Sequence, residues 1–316
     1  MTERAGAAVL AAPTAVPDDG PARTPLGPAL GLLRTARPRQ WVKNVLVLAA
    51  PVAAGRLDSW QTGARLALVF ALFTAAASAV YLLNDARDAE ADRAHPVKRH
   101  RPVAAGQVPA GLAAVTGVLL GLGAAVAAAL LCGAMTAALL AAYLVMQVAY
   151  CVRLKHVLVV DLAVVATGFL MRAMIGGVAL GIPLSRWFLI TTGFGALFMV
   201  AAKRYSEAVR MEGAEGATRA LLTRYTTGYL RFVWQLAAGA AVLGYCLWAL
   251  EASPAEAFLP WRQLSMVAFI LGVLRYAVFA DRGTAGAPED VVLRDRPLAV
   301  IGLAWAAMYG MSLVGL

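Results

Sequence analysis

The sequence predicts an all-α, polytopic membrane protein: a bundle of nine transmembrane helices with a polar site facing the cytoplasm. Three observations predict it. Of 316 residues, 61% are hydrophobic and 15% charged, and mean hydropathy is +0.70, whereas a soluble domain is about half apolar and a quarter charged. The apolar residues form continuous runs of near-spanning length, not the alternation that a membrane barrel needs. The polar remainder is basic, with 28 Lys and Arg against 18 Asp and Glu, and it collects between alternate runs. These features exclude an ordinary soluble enzyme and a disordered chain. Cys132, Cys151 and Cys246 lie in or beside apolar runs without metal-ligand spacing, which excludes a disulfide scaffold and marks them as small buried hydrophobes. No basic tract stands outside the apolar segments, so nucleic acid is not an expected partner.

Residues 1–30 are rich in Ala, Pro and Gly and carry Asp18 and Asp19. Their short apolar stretch is broken by Pro13 and lacks a basic leader, so the segment reads as a disordered cytoplasmic tail, not a signal peptide. Residues 31–316 form the nine-helix catalytic domain. Its spans fall at roughly 41–57, 62–83, 110–131, 134–152, 157–180, 186–203, 226–250, 262–280 and 297–315, each near the ~20 apolar residues that cross a bilayer. Pro109, Pro183, Pro260, Pro288 and Pro297 punctuate the breaks. Small residues such as Ala124–Ala129 let spans approach closely and permit helix-mediated association into oligomers. The tail and the loops after spans 2, 4, 6 and 8, together with Lys43 and Lys203 at the adjoining span ends, hold 21 of the 28 Lys and Arg. That bias places the N-terminus and those loops in the cytoplasm, in a bacterial plasma membrane.

The first span opens with Arg37-Pro38-Arg39-Gln40-Trp41-Val42-Lys43-Asn44. Trp41 reads as an interfacial anchor, while Lys43 and Asn44, at the mouth of the span, read as ligand contacts. The second span ends in Asn84-Asp85-Ala86-Arg87-Asp88-Ala89-Glu90-Ala91-Asp92. On a continuous helix, Asp85, Asp88 and Asp92 share one face at i, i+3 and i+7, and Asn84 joins Asp88 at i+4. Carboxylates so close repel unless a cation lies between them. Oxygen ligands at this density suit Mg²⁺, which takes one or two carboxylates plus substrate phosphates. Acids abutting a span are expensive and usually functional. The next loop supplies Lys98, Arg99 and Arg101, which beside a metal–diphosphate site suit phosphate recognition or a positive-inside anchor. Arg153 and Lys155 end the fourth span. Arg172 lies inside the fifth, near Asp161, and is expected to face the bundle interior.

Lys203-Arg204-Tyr205-Ser206-Glu207 ends the sixth span. Lys203 and Glu207 share a face, as an ordinary ion pair or as part of the site. Arg224, Tyr225 and Tyr229 open the seventh span. Pro288-Glu289-Asp290 with Arg294-Asp295-Arg296, before the ninth, reads equally as a closing element or a solvated cap.

The motif Asn84–Asp92, at the end of the second span, resembles the first Asp-rich motif of the UbiA superfamily of intramembrane prenyltransferases, and the resemblance runs from about Arg37 to the C-terminus. Several stretches resemble the branch that uses decaprenyl phosphate as a phosphoribosyl acceptor: Arg37–Asn44, Tyr81-Leu82-Leu83-Asn84-Asp85, Lys98-Arg99-His100-Arg101-Pro102, Lys203-Arg204-Tyr205 and Glu289–Asp295. Relatives that act on aromatic acceptors carry a second Asp-rich motif after span 6, where this chain has Lys203–Glu207.

The resemblance implies transfer of a 5-phosphoribosyl group from 5-phosphoribosyl 1-diphosphate to decaprenyl phosphate, releasing diphosphate. The product feeds arabinan synthesis for the cell wall. It implies Mg²⁺ on Asp85, Asp88 and Asp92, with Lys43, Lys98, Arg101, Arg153, Lys203 and Arg204 on phosphate groups. Asn44, Asn84, Arg87, Lys155, Tyr205 and Glu207 complete the expected substrate contacts. Two alternatives stand beside it. One is a Mg²⁺-dependent transfer of a prenyl group to an aromatic acceptor. The other is a transporter, against which the acidic cluster lies at a membrane face and no inverted pair of broken segments is evident.

Overall fold

The computed structural model describes residues 27–212, 225–251, 259–286, 291–292 and 294–314. The expected tail over 1–26, Arg224, and Pro288, Glu289 and Asp290 lie outside them. Among the described residues the chain is helical throughout. Helix α1 (Pro28–Thr35) opens on a proline at its first turn, where the missing N–H is no loss. It therefore begins inside the segment expected as tail.

The first expected span does not form one α-helix. Pro38–Leu48 winds as a 3₁₀ helix and passes into the short α2 (Ala49–Ala53). Such runs rarely exceed four residues, and their repeat of three brings every third side chain into line. That repeat is visible in burial. Asn44, Val47 and Ala50 form one buried ridge, with half-buried Trp41 in phase ahead of them. The ridge lies against α3 (Trp60–Arg87) and α7 (Val160–Ala179). Gly176 of α7 permits the approach, since a Cβ there would collide with the carbonyl oxygen of Val47.

Helix α3 starts at Ser59, whose hydroxyl accepts the Thr62 N–H at 3.2 Å, an N-cap that satisfies one free donor. It ends at Arg87. Asp88 breaks the helix at φ −89°, ψ 7°, and α4 (Ala89–Arg93) resumes after it. Helices α5 (Ala110–Cys132) and α6 (Ala134–Val152) turn about Gly133 at φ +94°. Gly117, Gly121, Ala124 and Ala128 make the buried stripe of α5, and a Cβ on Gly117 would come 3.0 Å from the Ala79 carbonyl of α3. Small side chains on such a stripe let helices pack where no hydrophobic effect drives them together.

The second half comprises α8 (Arg186–Glu212), α9 (Thr227–Leu250), α10 (Trp261–Asp281) and α11 (Arg296–Val314). One core gathers around Phe73, Leu140, Tyr143 and Ile175, and a second around Phe198, Tyr205, Trp234 and Tyr276. Leu119, Leu130, Leu243 and Leu303 are exposed on outer faces, as residues meeting lipid would be. Seven helices, α3, α5, α6, α7, α9, α10 and α11, are long and apolar enough to cross a membrane. The protein is a multi-pass membrane protein. Helix α8 is 27 residues long and more polar; it continues past the expected end of the sixth span and carries Lys203–Glu207 within it.

Candidate active site

The break at Asp88 decides the geometry of the acidic motif. On one uninterrupted helix the three carboxylates would line a single face. Instead Asp85 and Asp92 turn together and Asp88 turns away. Asp85 is 2% exposed and Asp92 3%. One nitrogen of Arg101 donates to both, 3.1 Å from Asp85 and 2.7 Å from Asp92. Arg37 donates a second hydrogen bond to Asp85 at 2.6 Å, with its guanidinium 4.7 Å from the centre of the Tyr81 ring. Asp88 accepts from Lys155 through both oxygens, at 2.8 and 2.7 Å.

Arg37 occupies left-handed backbone at φ 55°, a sparsely populated region for a non-glycine residue. The strain falls between α1 and the 3₁₀ segment, where it turns the guanidinium back over α3. Strained residues of this kind collect at functional sites.

Among the described residues no group of three or more His, Cys, Asp or Glu side chains is close enough to hold a metal. Two carboxylates nevertheless converge on one cationic nitrogen. A small hard cation that takes one or two carboxylates and fills its remaining positions with water and phosphate fits that donor set. Asp85 and Asp92 are the pair that the structure brings together, with Asp88 adjacent.

A second group of polar residues adjoins the first. On α6, Tyr150 lies near Arg204 of α8 and near the charge of Asp161. The next residue, Cys151, lies near Lys155, Asp88, Arg87 and Arg37. Lys203 and Arg204 flank Glu207 at 4.0 and 3.4 Å. Asp161, in the first turn of α7, accepts a hydrogen bond from the Tyr225 hydroxyl. That hydroxyl accepts the Val159 N–H at 2.6 Å. Burial and the bond to Asp161 push the Tyr225 phenol up to about 12.

The other expected residues divide. Asn44 is buried away from the acids: its amide donates to Thr74 at 2.9 Å and its oxygen accepts from Arg172 at 3.0 Å. Arg172 also donates to the Gly168 carbonyl and the Tyr143 hydroxyl, both at 2.9 Å. It faces the interior as expected, but joins α7 to the 3₁₀ segment and not to Asp161. Tyr205 is buried and accepts from Arg231 at 2.5 Å, so its hydroxyl serves the packing of α8 on α9. Lys43 and Asn84 are half-buried; Arg87, Lys98 and Arg153 are exposed. Arg87 reaches the Val152 carbonyl at 3.4 Å. Near the ninth helix, Asp295 pairs with Arg275 at 2.7 Å, and that guanidinium holds its carboxyl below the usual carboxylate range. Arg37, Tyr150, Asp161 and Tyr225 were not among the expected contacts. The available signal was an acid or cation at the mouth of an apolar run.

The other end of α9 borders an apolar cavity. A cavity of about 490 Å³ lies between α2, the start of α8 and the ends of α9 and α11, lined by Ala53, Trp187, Tyr245, Trp248, Trp305 and Tyr309. Tyr309 donates to the Ala53 carbonyl at 2.6 Å. The segment Pro38–Ala53 thus starts beside Asp85 and ends at this cavity.

The family model of the UbiA prenyltransferase family matches residues 45–294. The chain is 48% identical, over 93% of its length and 98% of the relative's, to a protein of Mycobacterium tuberculosis named decaprenyl-phosphate phosphoribosyltransferase. A protein of the same name from Corynebacterium glutamicum is 46% identical over 92% of this chain and 89% of its own. The fold matches the solved structure of a UbiA homolog from Archaeoglobus fulgidus bound to GPP and Mg²⁺, with TM-score 0.65 and 16% identity over 90% of this chain and 99% of that one. The chain belongs to the UbiA prenyltransferase family.

Proposed function

We propose that the protein transfers a 5-phosphoribosyl group from 5-phosphoribosyl 1-diphosphate to decaprenyl phosphate and releases diphosphate. The observation that carries this reading is the charge of the site. Arg37, Arg101 and Lys155 crowd the acidic motif, and Lys203 and Arg204 of α8 add two more cations around Glu207. A donor with phosphate at both ends and an acceptor that is itself a phosphate need that many cations. A prenyl diphosphate with an apolar acceptor does not. Relatives that cover nearly the whole chain carry the name of this activity.

Asp85 and Asp92, with Asp88, would hold Mg²⁺, which supplies charge neutralisation for the departing diphosphate. Arg37, Arg101 and Lys155 exchange their carboxylate partners for phosphate oxygens as the donor binds. Lys203 and Arg204 take the second anionic group. The lipid phosphate attacks C1 and forms a C1–O bond as the bond to diphosphate breaks, and diphosphate leaves with the electron pair. A phosphate is already an oxyanion near neutral pH, so no protein base is required. The protein contributes positioning and preorganised positive charge. The isoprenoid tail runs along the bundle to the aromatic cavity. Helix α9 joins the two ends, and its 24 residues rise about 36 Å at 1.5 Å each.

The bundle crosses the membrane nine times, with the N-terminus and the acidic motif cytoplasmic. The two crossings beyond the seven apolar helices are α8 and Pro38–Ala53. At about 2.0 Å per 3₁₀ residue and 1.5 Å per α residue, Pro38–Ala53 reaches about 30 Å, the thickness of the hydrocarbon core.

The test uses purified protein in detergent with decaprenyl phosphate, radiolabelled 5-phosphoribosyl 1-diphosphate and Mg²⁺, with and without EDTA. Label moves to the organic phase only when Mg²⁺ is present. Folded protein that leaves the label in water, but consumes prenyl diphosphate with an aromatic acceptor, overturns the proposal.

A further inference from the structure

Asp161 has no part in the metal and phosphate chemistry above, yet it is 8% exposed in the first turn of α7. Among the described residues it forms no ion pair and meets one side-chain donor, the Tyr225 hydroxyl. A buried carboxylate without a cation is unfavourable unless hydrogen bonds hold it.

The surroundings are built to hold it. Val159 is a β-branched residue at φ 68°, a backbone state such residues rarely adopt. That conformation directs the Val159 N–H onto the Tyr225 oxygen at 2.6 Å. With that oxygen engaged as acceptor, the hydroxyl proton is left for Asp161. Tyr225 is kept a donor, its phenol pushed up to about 12. One Asp161 oxygen is thereby committed.

Asp161 also lies close to the cationic groups. Tyr150 is near both Arg204 and Asp161, and the next residue, Cys151, is near Lys155, Asp88 and Arg37. If those cations bind phosphate groups, a negative charge close to them repels the same ligand. The repulsion is offset only if the carboxylate meets neutral hydrogen-bond donors of that ligand. A ribose carrying phosphates at both ends presents two such donors between them, its adjacent 2- and 3-hydroxyls. A prenyl chain presents none.

We propose that Asp161, oriented by Tyr225, is a specificity-determining residue that accepts hydrogen bonds from the sugar hydroxyls of the phosphoribosyl donor. This inference rests on the phosphoribosyl reading above.

The experiment compares kcat/KM for 5-phosphoribosyl 1-diphosphate and its 2-deoxy and 3-deoxy analogues, using the full chain in detergent with decaprenyl phosphate and Mg²⁺. The 3-deoxy analogue is the cleaner probe, because the hydroxyl it lacks is not adjacent to C1. A hydrogen bond to a charged group predicts that wild type prefers the parent donor over at least one analogue by about 10- to 100-fold. In Asp161→Asn that preference shrinks to about threefold or less, while Asp161→Glu restores part of it. Tyr225→Phe lowers activity and keeps the preference. A wild-type enzyme indifferent to both hydroxyls overturns the inference without any variant. A folded Asp161→Asn protein that keeps the wild-type ratios also overturns it. If Asp161→Asn does not fold, Asp161→Glu decides: an unchanged ratio with the longer carboxylate overturns the inference, and an altered ratio supports it. Wild type that transfers no phosphoribosyl group at all overturns the underlying reading as well, which separates the two failures.

Discussion

Lys155 bonds both oxygens of Asp88, at 2.8 and 2.7 Å, across a sequence separation of 67 residues. The pair joins the connection after α6 to the break after α3, and so ties the acidic motif to the rest of the bundle. Both side chains are about a quarter exposed, so the pair contributes little to stability, about 0–1 kcal/mol. On the proposed function, Lys155 meets a phosphate of the donor. Lys155→Gln is expected to raise KM for the phosphoribosyl donor about tenfold through loss of one phosphate contact, with little change in thermal stability. Steady-state kinetics and a melting curve on the same preparation check this.

Asp85 accepts from Arg37 and Arg101 while almost wholly buried. Asp85→Asn keeps the shape and removes the charge that both cations and a divalent metal require. Turnover is expected to fall about 10²- to 10³-fold, with the protein still monodisperse in detergent. Full activity in this variant would refute the metal assignment. Asp88→Ala is expected to behave alike.

Gly176 abuts the Val47 carbonyl with no room for a Cβ. Gly176→Ala is expected to push the 3₁₀ segment off α7 and to destabilise by about 1–3 kcal/mol, as overpacking does. Gly123→Ala, where a Cβ meets nothing within 4 Å, serves as the control. Melting temperatures in one detergent compare them.

Asp295 accepts from Arg275 and from the Leu298 N–H, and the cation holds its carboxyl below the ordinary range. A depressed folded-state value means that this contribution is present above the unfolded carboxylate range and lost as pH falls through the folded value. Acidification should therefore loosen α11 from α10 in wild type, and Asp295→Asn should lack that part of the pH dependence. Melting temperature against pH for both proteins measures the difference.

Much of this was legible in the sequence. Long apolar runs and local motif spacing survive without tertiary information, so the helices and Asp85, Asp88 and Asp92 could be placed. Arg101 followed as a cation beside Asp85 and Asp92. The break at Asp88 could not be read, because an acidic run is compatible with a continuing helix. Neither could the partners of each carboxylate. Arg37 and Lys155 come from 48 and 67 residues away, and only folding chooses among many cations of one sign. Tyr205 misled for a related reason: beside Lys203 and Arg204 in sequence, it turns inward on α8 to Arg231 and Trp234. Asn44 likewise turns from the acids to Arg172.

The ridge Asn44–Val47–Ala50 makes the segment Pro38–Ala53 a text written in triplets. Removing one residue from Pro38–Leu48 would rotate everything before it by about 120°, carrying Arg37 away from Asp85. Removing three would keep every side chain on its face and draw Arg37 about 6 Å along the axis. Tolerance to deletion along this segment should follow a frame of three, as in a coding sequence, where the neighbouring α-helices have no such frame.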